Sequence, residues 1–334
     1  MTLTAQEITA AALAQNPVAG CPWTRVDLGP LVAGHLEPIR ATMGCRTDGV
    51  PLLYAGKVHS LSGESEGGKT WLTLAWCAEQ IWQGKDVVFV DFEDEAASVA
   101  LRLRDLGLSD TEILKHFIYV SPVVAFAGEA SALLTGLDCA LVVFDGVTEY
   151  MNLHGLQPKD DVDVAEMLRL PRALAALGPA VVMLDHVIKD KQARGRYATG
   201  SQHKLSGITG AAYLLETDKP FAMDQEGSSR LFIAKDRPGA VRAHSVKVRA
   251  DKHLIGEFVV PGGRIKDCEL RPPSEKSLGP FRPTVVMENI SRHLEDAGKP
   301  LTYNSFSGWA ARPVGDCHSE LDGHSEGDCH SGLD

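Results

Sequence analysis

The stretch GESEGGKT, residues 63–70, decides the fold of this chain. It is a complete G-x-x-x-x-G-K-[ST] phosphate-binding loop in the surroundings that such a loop requires. KVHSLS before it (57–62) alternates as a strand does, and WLTLAWCAEQI after it (71–81) carries apolar residues at helical spacing. Gly63, Gly67 and Gly68 permit positive φ and close approach to a polyanion, so successive N–H groups at the positive end of the following helix can face phosphate oxygens. Lys69 supplies a mobile charge for the β- and γ-phosphates, and the Thr70 hydroxyl a ligand for Mg²⁺. Glu64 and Glu66 put negative charge where an anion must land and are expected to point outward. With Ser65 and Trp71 they complete an expected ATP-contacting stretch, residues 63–71.

The 334 residues are 44% apolar, enough for one substantial domain with extensions. No apolar run reaches the roughly 18 to 20 residues that cross a bilayer, and MTLTAQEITAAALAQ lacks the pattern of a signal peptide, so the expected location is cytoplasmic, without a membrane partner. Seven cysteines without paired close spacing indicate neither a disulfide framework nor a zinc ribbon. The net charge of -11 is uneven: residues 315–334 hold six acids and no Lys or Arg, so the body is only mildly acidic and a DNA partner is not excluded.

Residues 1–56 read as an N-terminal extension that opens with an Ala-rich helix (5–15). From 57 to 262 strand patterns alternate with helical ones. VVFVD, LVVFD and VVMLD are continuous apolar runs ending in aspartate, as suits parallel strands covered by helices on both faces. Later segments near 211–215, 230–234, 243–248 and 253–260 lie closer together and read as an antiparallel extension of that sheet. Residues 263–282 form a Pro- and Ser-containing linker, and an amphipathic helix follows within 283–311. In 312–334 DCHSEL, DGHSEG and DCHSGL repeat with period six and no core-forming content, so a disordered tail is expected.

A phosphate loop hydrolyses nothing unless other groups hold the metal and position a water. Asp145, closing LVVFD, fits a carboxylate that holds Mg²⁺ through water. VDFEDE gathers Asp91, Glu93, Asp94 and Glu95, one of which is expected to be the general base; spacing does not select which. His186 follows VVMLD and is placed to sense the γ-phosphate. Lys189, Lys191, Arg194, Arg196 and Lys204 lie in a basic, glycine-containing stretch of the kind that neutralises nucleic-acid phosphates. Lys235 and Arg237, at alternate positions past a late strand, point the same way and have no evident use in their own subunit, which suits action on a neighbour's γ-phosphate.

Together these elements resemble the RecA-like P-loop ATPases, in particular their RepA-type and DnaB-type ring helicase branch, over residues 45–260. The likeness rests on GESEGGKT, VDFEDEAASVALRLRDLG, LVVFD, DHVIKD, ATGSQHKLSG and AKDRPG. It implies a RecA-like α/β fold, ATP and Mg²⁺ as cofactors, a homo-oligomer (a hexameric ring) and single-stranded DNA as partner. It also implies Glu93 as catalytic carboxylate, Asp145 as metal carboxylate, His186 as sensor, Lys235 and Arg237 as the pair acting across the interface, and DNA-binding loops at 148–163 and 189–207. The chain departs from this pattern in Asp160, Asp161 and Asp163, which make the first loop acidic, and in Asp185-His186, where many relatives carry two histidines. A winged-helix-like module runs out after one helix. The alternative is a nucleotide-switched regulatory ATPase similar to KaiC-like or RadA-like proteins, which binds a partner without unwinding.

Overall fold

The structure, a computed structural model, describes residues 27–33, 38–187, 202–222, 225–249 and 252–274. All of them fall in one compact unit, Met1–Leu278. Lys189, Lys191, Arg194 and Arg196, the expected helix at 5–15, the segment 283–311 and the tail 312–334 lie outside the described residues.

The phosphate loop joins β1 (Val58–Gly63) to α1 (Lys69–Trp82). β1 lies inside a ten-stranded sheet. Beside it on one side come β5 (Ala180–His186), β4 (Cys139–Asp145), β2 (Asp86–Asp91) and β3 (Phe117–Val120), all parallel. On the other side β6 (Ala211–Lys219) is still parallel to β1; β7 (Gly227–Asp236), β9 (Lys252–Val260) and β10 (Glu269–Arg271) then alternate antiparallel, and β8 (Val246–Arg249) also pairs with β9. The expected parallel sheet with an antiparallel extension is therefore present.

The apolar runs explain the layers, because side chains two apart share a face. Val87 and Phe89 of β2, Leu141 and Val143 of β4, and Val182 and Leu184 of β5 pack in one core with α1, α2 (Ala96–Asp105) and residues preceding α3 (Asp110–His116). Val88, Val90, Val142, Phe144, Val181 and Met183 face the other core, under α4 (Val147–Leu153), α5 (Asp161–Met167) and α6 (Arg169–Ala176). Each fully buried side chain of this size contributes about 1.5–3 kcal/mol, so the sheet is pinned from both sides.

The body reaches past both expected boundaries. Met43, Leu52, Leu53 and Tyr54 are buried in the first core, so the end of the 1–56 extension belongs to the domain. At the other end β10 pairs with β9 inside the expected linker 263–282. Residues 148–163 are a further correction: most of their first half is helical in α4, and Asp160 caps α5 by accepting from Val162 N (2.8 Å) and Asp163 N (3.2 Å). The acids that looked out of place in a DNA loop include the cap of a helix.

Candidate nucleotide-binding site

Register brings the site together before any side chain is considered. Gly63 pairs with His186, Ser62 with Asp185, Asp145 with Leu184, and Asp91 with Asp145. The phosphate loop and the three acid-ended strands therefore finish at one edge of the sheet, the carboxyl edge where ligands bind in open α/β folds.

The loop has the backbone it needs. Gly68, at the N-cap of α1, has φ 89°, and Glu66 has φ 59°, which turns its side chain into solvent. A Cβ on Gly68 would come within 2.6 Å of the Phe221 ring, so this position is closed to larger residues by space as well as by φ. Ser229 Oγ donates to Gly67 O (3.0 Å) and steadies the loop from β7. Glu64 is half-buried, unlike the outward-facing carboxylate expected there, while Ser65 is exposed and Trp71 half-buried.

Lys69 is buried, 7% exposed, and folds back over the loop. Its ammonium donates to Gly63 O (3.2 Å) and Glu64 O (2.9 Å), and to His186 Nδ1 (3.4 Å). Burial lowers its pKa, against the pull of Asp145, Glu93 and Asp185. An ammonium can only donate, so His186 Nδ1 accepts and the ring proton sits on Nε2, which faces Glu93 Oε1 at 3.3 Å. Lys69, His186 and Glu93 thus form one chain of polar contacts.

Geometry separates the four carboxylates that spacing leaves equal. Asp91 is buried and spent on the turn: Oδ1 accepts from Glu93 N and Asp94 N, both at 2.9 Å, and Oδ2 from Tyr119 Oη (3.2 Å). Asp94 accepts from Glu95 N and Ser98 Oγ and pairs with Arg102 at 2.8 Å. Glu95 is the exposed N-cap residue of α2. Only Glu93 of the four meets His186. It lies over Gly146, where a Cβ would stand 1.9 Å from Glu93 Oε1, so this glycine is what lets the carboxylate in.

Thr70 Oγ1 donates to Asp145 Oδ2 at 3.0 Å. Asp145 is 6% exposed, and burial pushes its carboxyl up to about 7; Glu93 and Asp91 add to the rise, while the Thr70 hydrogen bond and Lys69 oppose it. Thr70 and Asp145 together are two hard oxygen donors beside a poorly compensated buried charge, a donor set that suits Mg²⁺ bound largely by phosphate and water. Among the described residues no group of three or more His, Cys, Asp and Glu could cage a metal ion.

Beside the loop, a cavity of about 470 Å³ is lined by Trp71, Phe221, Ala222, Gln225, Arg264 and Ile265 among others. Arg102 stacks over Trp71 at 5.6 Å from the ring centre. Phe221 and Arg102 carry no motif signal; their place depends on how β6, β7 and α2 fold around the loop.

Two expectations about cations are corrected. Lys204 is not a surface contact for nucleic acid: it is 7% exposed, in the short helix α7 (Gln202–Gly207), with its ammonium 2.9 Å from Asp185 Oδ2. Lys235 is in use within its own subunit, where it donates to the carbonyl oxygens of Leu205 (2.9 Å), Ser206 (2.8 Å) and Ile208 (2.8 Å) at the end of α7. Burial lowers its pKa, with Arg237 and Arg172 adding to the effect. Arg237 is exposed, and among the described residues its side chain has no hydrogen-bonding or ionic partner.

A family model described as an AAA domain matches residues 46–192, the segment that carries the phosphate loop, Glu93, Asp145 and His186. No curated protein matches the chain. Among the described residues no helix is long and apolar enough to cross a membrane.

Proposed function

We propose that this chain is an Mg²⁺-dependent ATPase of the RecA-like kind that works as a homo-oligomeric, helicase-like motor on single-stranded DNA. The AAA-domain match over 46–192 supports a P-loop ATPase. The single observation that carries the hydrolytic reading is the convergence of Lys69, His186 and Glu93 within 3.4 Å contacts, beside the Thr70–Asp145 pair.

The polyphosphate lies along residues 63–70, with Lys69 leaving its loop carbonyls for phosphate oxygens. Thr70 and Asp145 would hold the metal, which would supply charge neutralisation at the polyphosphate. Glu93, one third exposed beside the buried centre, polarises the attacking water. His186 lies between Glu93 and Lys69 and so responds to whether a γ-phosphate has displaced the ammonium. The base enters the cavity beside Trp71 and Phe221.

The position of Arg237 supports oligomeric action. Asp236 pairs with Ala211, at the end of β6 opposite Leu215, which pairs with Gly63. Four residues of strand separate the two ends, about 13 Å at roughly 3.3 Å per residue. Arg237 therefore projects from the sheet edge away from its own phosphate loop, and a free cation there serves a site on a neighbouring copy. Its backbone is fixed for the purpose: Arg237 N donates to Gly210 O (3.1 Å), and Asp236 accepts from Tyr54 Oη and Arg242 N, both at 2.8 Å.

The DNA part of the reading rests on the sequence of 189–196 and on the resemblance. The test is ATP turnover with and without single-stranded DNA, combined with unwinding of a forked duplex. Turnover stimulated by DNA supports the motor. Turnover without stimulation or unwinding leaves a nucleotide-switched regulatory ATPase, and no Lys69-dependent turnover at all refutes both.

A further inference from the structure

Asp185 and Lys204 form a buried ion pair that ATP chemistry does not itself require. Their side chains are 5% and 8% exposed. The Asp185 carboxylate is shared: Oδ1 accepts from His186 N (2.8 Å) and Oδ2 from Lys204 Nζ (2.9 Å). One group thus holds the backbone of the histidine that faces Lys69 and Glu93, and holds α7 as well. Burial raises the Asp185 pKa, and Lys204 is the largest force against that rise.

The C-terminal carbonyls of α7, which follow Lys204 directly, are held differently. Lys235 Nζ gathers three carbonyls at its C-terminus, where a cation also meets the negative end of the helix. Lys235 pairs across the sheet with Ala212, near the edge from which Arg237 projects. Lys204 is the third residue of this short helix and the carbonyls that Lys235 gathers follow it directly, so the two pins lie at most about 6 Å apart along the axis, and two extended lysine side chains complete the span between the His186 and Arg237 ends of the sheet. α7 is braced laterally as well: Arg172 Nη2 donates to Gly207 O (2.9 Å), and a Cβ on Gly207 would stand 2.2 Å from Leu168 Cδ1. Between α7 and the sheet lies a cavity lined by Ser62, Met183, Asp185, Lys204, Leu205 and Tyr213, among others. The helix is held through its middle and through its C-terminal carbonyls, over a cavity, as suits an element that shifts as a body.

We propose that α7 is a strut, with the Asp185–Lys204 pair as one pin and the Lys235 cap as the other, which positions His186 in its own ATP site and ties it to the segment presenting Arg237. Asp185, Lys204 and Lys235 are then positioning residues. A nucleotide-dependent change at His186 moves α7 and with it the strand end that carries Arg237. This deepens the ATPase reading and rests on it.

The test uses the full chain and the double variant Asp185→Asn/Lys204→Met. It removes both charges at similar volume, which avoids leaving one buried charge without its partner, and Asn can still accept from His186 N. With thermal stability near wild type, turnover at saturating ATP is expected to fall at least tenfold with KM changed less than about threefold, and the His186 imidazole ¹⁵N resonances to shift without nucleotide. Lys235→Met is expected to lower turnover similarly while those resonances keep their wild-type positions. Wild-type turnover in either variant, or unchanged His186 resonances in the double variant, overturns the strut. A wild-type chain that hydrolyses no ATP, with His186 resonances that still shift in the double variant, refutes the ATPase reading while leaving the positioning of His186 intact.

Discussion

Replacing Asp145 by Asn makes the protein more stable without nucleotide and inactive with it. The carboxyl is 6% exposed, and its pKa rises from 3.8 to about 7, chiefly through burial. A raised carboxyl pKa means that the folded chain binds a proton the unfolded chain has released. Its contribution to stability is therefore most favourable below the unfolded value and is lost as pH rises from about 4 to about 7. The shift is roughly three units, and at about 1.4 kcal/mol per unit the ionised carboxylate costs the fold about 4 kcal/mol above pH 7. Asn keeps an acceptor for Thr70 Oγ1 and carries no charge.

The variant is therefore expected to exceed wild type by up to about 4 kcal/mol at pH 8, and by less than half of that at pH 5, where most of the folded wild type is already protonated. In Tm this is on the order of 10 °C at pH 8 for a domain of this size. The assay is thermal unfolding by circular dichroism at both pH values in a chelating buffer. Repetition with Mg²⁺ and ATP should reverse the order, since wild type gains the binding free energy and the variant, lacking the metal carboxylate, gains little. An Asn variant less stable than wild type at pH 8, or a stability gap unchanged between pH 5 and pH 8, refutes the reasoning.

Glu93→Gln should keep ATP binding and lose about 10²–10⁴-fold in turnover, measured by phosphate release. Gly146→Ala should reproduce much of that loss, because its Cβ occupies the place of Glu93 Oε1; full activity would show that the carboxylate need not lie there. Trp71→Ala should weaken ATP binding several-fold in calorimetry and leave tripolyphosphate binding unchanged, whereas equal losses would remove the base from the Trp71 cavity. Arg237→Ala should bind ATP normally but hydrolyse it slowly. Mixing it with Lys69→Ala subunits should restore some turnover, since each supplies what the other lacks, and no recovery argues against a shared site.

What was legible in the sequence was local. The loop at 63–70 announces itself because its chemistry needs glycines, lysine and threonine within eight residues. The runs VVFVD, LVVFD and VVMLD give both the buried strands and the edge at which their acids gather. Choosing among Asp91, Glu93, Asp94 and Glu95 depends on a turn whose amides Asp91 collects, which alternation cannot reveal. β3 and β10 are short edge strands whose pairing comes from their neighbours. Lys204 and Lys235 read as surface cations because the groups that claim them are remote in sequence. Their partners are Asp185, 19 residues away, and carbonyls 27 to 30 residues away, supplied only when β5, α7 and β7 assemble.

Charge is the constraint that links the site to its surroundings. Glu93 and Asp145 converge on one ammonium, that of Lys69, with Asp91 beside Asp145, before a polyphosphate brings several more negative charges. Such a centre repels its ligand unless cations arrive with it or from elsewhere. A divalent metal held by Thr70 and Asp145 would account for part of the deficit. Within the subunit, the described cations closest in role are already engaged: Lys204 with Asp185, Arg102 with Asp94, and Lys235 with the end of α7. Arg237 has no such engagement among the described residues and faces away from its own loop. The proposed assembly would bring a nucleotide site short of positive charge together with a guanidinium on the opposite edge of the same sheet that has no partner among the described residues. That complementarity, more than the presence of the loop, is why the reading favours an assembly over a solitary nucleotide binder.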